Sequence, residues 1–201
     1  MKKMKFLIGA ILLMTFVSST SKFTSTQVGD VAALFNLINV DDTMVSLEGY
    51  AKKGAIVIFT CNHCPYVKAY EDRIIALHSK FKDTYPVITI SSNDPESFPD
   101  DSFEKMKIRA KEKGFEFPYL FDETQEIAKL YGALKTPHVY LLNKEKDAFV
   151  IKYIGAIDDN TYDASQVKEK YLESAVSSLI NGEEIKNKET KAIGCSIKWK
   201  S

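Results

Sequence analysis

Two cysteines separated by two residues stand where a strand pattern gives way to a helix pattern, and that junction limits the fold more than any other feature. Cys61-Asn62-His63-Cys64 follows the apolar run Ala55-Ile56-Val57-Ile58-Phe59 and precedes a segment that opens at Pro65. Beyond it, Val67, Tyr70, Ile74, Leu77 and Phe81 recur at intervals of three and four, with Lys68, Glu71, Asp72 and Arg73 between them. A continuous apolar strand is one covered on both faces, and the three-four spacing marks a helix with one buried stripe. Pro65 suits the first turn, where a missing N–H costs nothing. The thiols therefore sit at a helix N-terminus, where free N–H groups and the helix dipole favour the thiolate, the reactive form of cysteine.

The rest of the chain repeats the alternation. Ala33 to Val40 and Met44 to Leu47 alternate around Asp41-Asp42-Thr43, as an N-terminal hairpin would. Pro86 to Ser91 is a second core strand, followed by the polar loop Asn93-Asp94-Pro95. Ser102 to Lys113 is a charged helix stopped by Gly114, Pro118 to Phe121 a short strand, and Thr124 to Tyr131 a short helix closed by Gly132. His138 to Leu142 and Phe149 to Ile154 are two further strands, and Gln166 to Ile180 is the last helix, ended by Asn181-Gly182. The fold class is α/β: a sandwich with a central mixed β-sheet flanked by helices, extended by the N-terminal hairpin.

Residues 1–21 are set apart from this domain. Lys2, Lys3 and Lys5 precede a nearly uninterrupted apolar run from Phe6 to Val17, and the small residues Ser18-Ser19-Thr20-Ser21 follow. That is the pattern of a signal peptide, and the run is shorter than the roughly 20 residues of a spanning helix. An uncleaved anchor is the alternative. The expected location is exported, periplasmic or extracytoplasmic, with no stable membrane span after cleavage. Lysine plus arginine and aspartate plus glutamate stand at 27 each. Removal of three lysines leaves 24 basic side chains against 27 acidic ones. Such a balance gives no reason to expect a nucleic-acid partner.

Outside the cytoplasm a disulfide persists, so Cys61–Cys64 can be read as a static staple. Closing so short a loop gains little, however, because stabilisation grows with loop length. A dithiol at a strand-to-helix junction fits a reactive site better. His63, beside the pair, can donate to the Cys61 sulfur and lower its pKa; the bland reading leaves it in solvent. Expected partners are protein thiols or disulfides and a redox partner of unassigned identity. No cofactor and no metal are expected.

A strand, then Cys-x-x-Cys opening a helix, then Thr136-Pro137 ahead of a strand: this resembles the thioredoxin fold. Phe117-Pro118-Tyr119-Leu120-Phe121-Asp122 and Ala128-Lys129-Leu130-Tyr131-Gly132-Ala133 resemble its redoxin branch, the AhpC/TSA proteins and exported thioredoxin-like reductases. The likeness spans roughly residues 28–182, leaving 183–201 as a C-terminal tail. It implies a thiol–disulfide oxidoreductase in which Cys61 attacks, as the more exposed thiol, and Cys64 resolves the mixed disulfide. It also implies a cis peptide before Pro137, which turns the Thr136 backbone toward the dithiol to pair with an extended substrate strand. Thr136 and Asn62 are the expected substrate contacts.

Several features depart from the pattern. Thioredoxins carry a buried acid on the strand before the dithiol, and no acid lies in 55–60. Glu71 reads as part of a solvated helix face, so the proton acceptor for Cys64 is unassigned. Cys195, in Gly194-Cys195-Ser196-Ile197-Lys198-Trp199, is either a small buried hydrophobe in a packed tail or a third redox cysteine over Cys61 or Cys64. His78 and His138 read as structural. Two rival functions remain open. A peroxidase needs an arginine at its cysteine, and only Arg73 and Arg109 exist. A copper- or zinc-binding protein would use Cys61, His63 and Cys64, with His138 or Cys195 as the fourth ligand.

Overall fold

The computed structural model describes residues 26–201; the candidate signal peptide lies outside that range. In chain order the elements are β1 (Asn36–Asn39), β2 (Met44–Ser46), α1 (Leu47–Tyr50), β3 (Gly54–Thr60), α2 (Pro65–Phe81) and β4 (Val87–Ser91). They continue with α3 (Phe103–Lys113), β5 (Tyr119–Phe121), α4 (Glu126–Tyr131), β6 (Lys135–Thr136), β7 (His138–Glu145), β8 (Ala148–Gly155), α5 (Tyr171–Asn181) and β9 (Cys195–Ser196). No helix among the described residues is long and apolar enough to cross a membrane.

Every residue of β3 is buried, as its unbroken apolar run requires. Ala55, Val57 and Phe59 point into one core and Ile56 and Ile58 into another. The first core also takes Leu47 of α1 and Ala128 and Tyr131 of α4. The second takes Tyr70, Ile74, Leu77 and Phe81 of α2 with Leu172, Ala175 and Val176 of α5. A sheet with both faces covered in this way is the α/β sandwich expected. The strand order is β2-β1-β5-β4-β3-β7-β8. β3 runs parallel to β4 (Ile56 opposite Val87) and antiparallel to β7 (Phe59 opposite His138). The mixed sheet therefore brings the C-terminal end of β3, the start of α2 and the entry to β7 to one edge, and the dithiol belongs to that edge. The N-terminal hairpin is present, though shorter than its alternating pattern (Asn36 opposite Ser46).

Two regions differ from the sequence reading. The last helix begins at Tyr171, not Gln166. The backbone between is used elsewhere: the Lys168 N–H donates to Asp159 Oδ1, the Asp159 N–H to the Glu169 carbonyl and the Leu172 N–H to the Ile157 carbonyl. Those bonds compete with a helical ladder and hold residues 167–170 against the loop after β8. Residues 183–201, for their part, lie along the domain. Ile185 is buried, the Thr190 N–H donates to the Ile154 carbonyl, and Ile197 enters the first core. This segment is a strap, and its last turns cross the dithiol edge.

Candidate active site

Cys64 is the N-cap of α2 and Pro65 its first residue. The cap makes no side-chain hydrogen bond to the helix, which leaves the sulfur free for other partners. The Thr136–Pro137 peptide is cis, and Thr136 faces both sulfurs. Its hydroxyl lies 3.4 Å from Cys61 Sγ, and its carbonyl oxygen accepts from Cys64 Sγ at 3.3 Å. Neither thiol reaches solvent: Cys61 is 2% exposed and Cys64 0%. Cys61 is the more exposed of the pair only by that small margin, and Cys195 of the strap packs against both.

The strap brings the third cysteine. β9 pairs antiparallel with β6, placing Cys195 opposite Thr136, and Cys195 Sγ lies 2.7 Å from Cys64 Sγ. Of the three sulfurs, Cys195 alone belongs to a partly exposed residue. The Thr136 edge expected to receive a substrate strand is thus occupied by the chain's own tail.

Asp101 forms the opposite wall. It sits at the end of a 3-10 turn (Pro99–Asp101), is fully buried, and belongs to no motif near the cysteines. Its Oδ1 accepts from the Asn62 N–H (2.7 Å) and the His63 N–H (3.1 Å). Its Oδ2 takes the His63 Nδ1–H (2.5 Å) and the Asn93 Nδ2–H (2.7 Å). His63 is therefore turned away from the role expected of it: the ring meets Asp101 and stacks on Phe98 (centroids 5.4 Å apart), and makes no hydrogen bond to Cys61. Asn62 is likewise engaged inside the protein, donating to the Asp100 carbonyl and accepting from the Tyr119 hydroxyl. Those bonds turn the buried Asn62 amide toward the interior and away from the Thr136 edge.

Charge in the site follows from these contacts. The hydrogen bond from Cys61, then one from Cys195, hold the Cys64 thiol down to about 4 against the opposing effect of burial. Cys61 is pushed up by the same hydrogen bond to Cys64, by burial and by the Asp101 carboxylate. Cys195 is pushed up to about 11 by burial and by its contact with Cys64. The thiolate is thus favoured at Cys64, the thiol at the helix start, over Cys61 and Cys195, and forming it gives up the bond to the Thr136 carbonyl.

Glu71 corrects another expectation. It is buried on the inner side of α2, gripped by Arg109 Nε and Nη2 at 2.7 and 2.6 Å and by Lys113 Nζ at 3.2 Å. A cavity of about 10 Å³ lies between this ion pair and Cys61, lined also by Thr60, Thr89 and Tyr119. That volume holds about one water. Arg73 is held by Asp158 at 2.7 Å, and with Arg109 on Glu71 both arginines are already committed to carboxylates. Among the described residues the donors that converge as metal ligands would are Cys61, His63 and Asp101, their atoms within 4.8 Å of one another. Both Asp101 oxygens are already taken by N–H donors, which makes a poor cation ligand. His138 instead accepts from the Leu134 N–H through Nδ1 at 3.4 Å.

Sequence reasoning found Cys61, Cys64, Thr136 and Pro137, and the structure brings all four together. It missed Asp101, Asn93 and Phe98. The polar loop after β4 was visible, but nothing in its spacing ties it to the dithiol.

Dithiols held against a cis proline at the edge of a mixed sheet define the thioredoxin-fold redoxins. Within that class, the chain belongs to the AhpC/TSA family, whose pattern it matches over residues 28–159. A conserved protein of Geobacillus kaustophilus, described as uncharacterized, is 36% identical; the match covers 90% of this chain and 94% of that one, with a TM-score of 0.80. A hypothetical protein of Sinorhizobium meliloti 1021 is 29% identical over 89% and 97% of the two chains, with a TM-score of 0.81. A thiol:disulfide interchange protein DsbE of Chlorobium tepidum shares the fold at 17% identity, a TM-score of 0.58 and coverage of 77% and 98%. No curated protein matches the sequence significantly.

Proposed function

We propose that the protein is an exported thiol–disulfide oxidoreductase that exchanges disulfides with protein thiols through Cys61 and Cys64. The observation that carries this reading is the placing of both sulfurs against Thr136, one on its hydroxyl and one on its carbonyl, at the cis-proline edge. With a substrate strand on that edge, Cys61 attacks the substrate disulfide while its proton passes to the Cys64 thiolate. One substrate sulfur leaves as thiolate and the other is bonded to Cys61. Cys64 then passes the proton to the departed substrate thiolate and attacks Cys61 Sγ, which releases the second substrate sulfur as thiolate and leaves Cys61–Cys64 oxidised. Export is carried by the basic and apolar pattern of residues 1–21.

Reduction of insulin by dithiothreitol is the test. The protein is expected to accelerate it, and Cys61→Ser or Cys64→Ser to abolish the acceleration. Turnover of hydrogen peroxide without insulin reduction would replace this reading by a peroxidase. Fusion of residues 1–21 to alkaline phosphatase, active only outside the cytoplasm, tests export. A thiol held near 4 also makes the reduced protein depend on pH. The unfolded thiol binds its proton below about 8.5, the folded one only below about 4, so stability falls as pH drops across that interval. A thiolate absorbance that disappears already at pH 7 in the reduced protein would contradict this charge placement.

A further inference from the structure

We propose that the C-terminal strap is a built-in surrogate for a substrate strand, and that Cys195 forms a second disulfide with Cys64, in exchange with Cys61–Cys64. The inference rests on the proposed exchange function and adds to it the identity of the first competitor for the site.

The main-chain pairing is the first support. An extended segment at a sheet edge is recognised through its backbone hydrogen bonds, and β9 makes that pairing on β6 with Cys195 opposite Thr136. A cysteine delivered on such a strand stands at the edge a substrate would use, with its sulfur beside the resolving thiol Cys64. The second support is the closeness of the approach. A Cβ added at Gly194 would fall 2.1 Å from the Thr136 carbonyl oxygen, so only glycine lets the strap settle against the edge. The third is how the strap is held. Upstream, the Thr190 N–H donates to the Ile154 carbonyl and its hydroxyl accepts from the Ala156 N–H. Downstream, Ile197 is buried and its N–H donates to the Leu134 carbonyl, while the Lys198 N–H donates to Asn93 Oδ1. Clamps on both sides of Cys195 keep its sulfur over Cys64 rather than Cys61.

The exchange balances without another reactant. In the oxidised protein Cys195 loses its proton and its thiolate attacks Cys64 Sγ. The Cys61–Cys64 bond breaks, the Cys64–Cys195 bond forms, and Cys61 leaves as thiolate and takes up a proton. One disulfide replaces another; the oxidant is the substrate disulfide that oxidised the pair. In this isomer the strap is covalently fixed over the site and excludes a substrate strand from Thr136. A thiol that reduces Cys64–Cys195, entering at the partly exposed Cys195, frees the edge.

Oxidised glutathione and peptide mapping without reductant test this. In Cys61→Ser protein, checked for native circular dichroism, most molecules are expected to carry Cys64 linked to Cys195. In wild type both disulfides are expected, and in Cys195→Ser only Cys61–Cys64. Cys64 and Cys195 both left free, or carrying only glutathione, at every glutathione ratio in Cys61→Ser overturns the proposal. If that variant does not fold, the wild-type map decides alone: a Cys64–Cys195 peptide supports the proposal and its absence overturns it. Adding Gly194→Ala to Cys61→Ser is expected to reduce the linked peptide at least tenfold; an undiminished link overturns the surrogate-strand geometry. Formation of the link in a protein that leaves insulin unreduced, with or without Cys195, ends the proposed function and not this disulfide.

Discussion

Asp101 and Cys195 both reach the dithiol from distant parts of the chain, and they hold it in opposite ways. Asp101 is a buried carboxylate whose two oxygens are filled by four N–H donors, two of them from the main chain of the Cys-x-x-Cys loop itself. Nothing can replace it without leaving those donors unpaired. Cys195 arrives on a strap fixed by main-chain bonds at a sheet edge, and any extended strand offers the same bonds. The first wall shapes the loop permanently; the second is suited to exchange with a substrate. The proposed exchange needs both, a rigid side to set the sulfur positions and a replaceable side to admit a partner.

The largest expected effect breaks the rigid wall. Asp101→Ala strands the Asn62 and His63 N–H groups and the Asn93 amide, and is expected to lower stability by about 3–5 kcal/mol in urea unfolding. A loss below about 1 kcal/mol would mean that this wall is as replaceable as the other. Next comes the strap: Ile197→Ala removes its buried anchor and is expected to lower stability by about 2–4 kcal/mol. The same variant should speed alkylation of Cys64 in the reduced protein at least tenfold, and an unchanged rate erases the contrast between the walls.

A smaller effect comes from His138, whose Nδ1 accepts from Leu134, the residue whose carbonyl holds the Ile197 N–H. Burial pushes this histidine down to about 4. The unfolded chain takes up the proton near pH 6.5 and the folded chain only near 4, so stability is full above 6.5 and declines between the two values. The decline is expected to be about 1–3 kcal/mol and to flatten in His138→Gln, as read from unfolding at several pH values. Smallest is His63→Ala, which removes one of the four Asp101 contacts from a half-buried ring; about 1 kcal/mol is expected. A shift in the Cys61–Cys64 reduction potential, measured in Cys195→Ser with and without His63→Ala, would show that the ring acts on the sulfurs as well as on the loop.

Much of this molecule is legible in its sequence. The switch from a continuous apolar run to three-four spacing located β3 and α2 with Pro65 as the first helical residue, and Gly114 and Gly182 ended α3 and α5 where expected. The start of α5 was not legible, because the competing bonds to Asp159 come from another segment and leave no mark on periodicity. Glu71 misled for a related reason. A charged residue on an amphipathic helix reads as solvated, and only its burial between Arg109 and Lys113 makes it part of the interior.

The sequence by itself determined the chemistry available: two thiols one turn apart at a helix N-terminus, a Thr-Pro step before a strand, and a third cysteine near the C-terminus. Spacing along a chain sets such local geometry because strand and helix periods are fixed. The tertiary structure alone decided what surrounds those sulfurs. It brought Cys195 across 131 residues of chain to Cys64 and Asp101 across 38 to His63. Contacts of that kind depend on how elements pack over the sheet, and packing depends on the whole core rather than on the residues beside the motif.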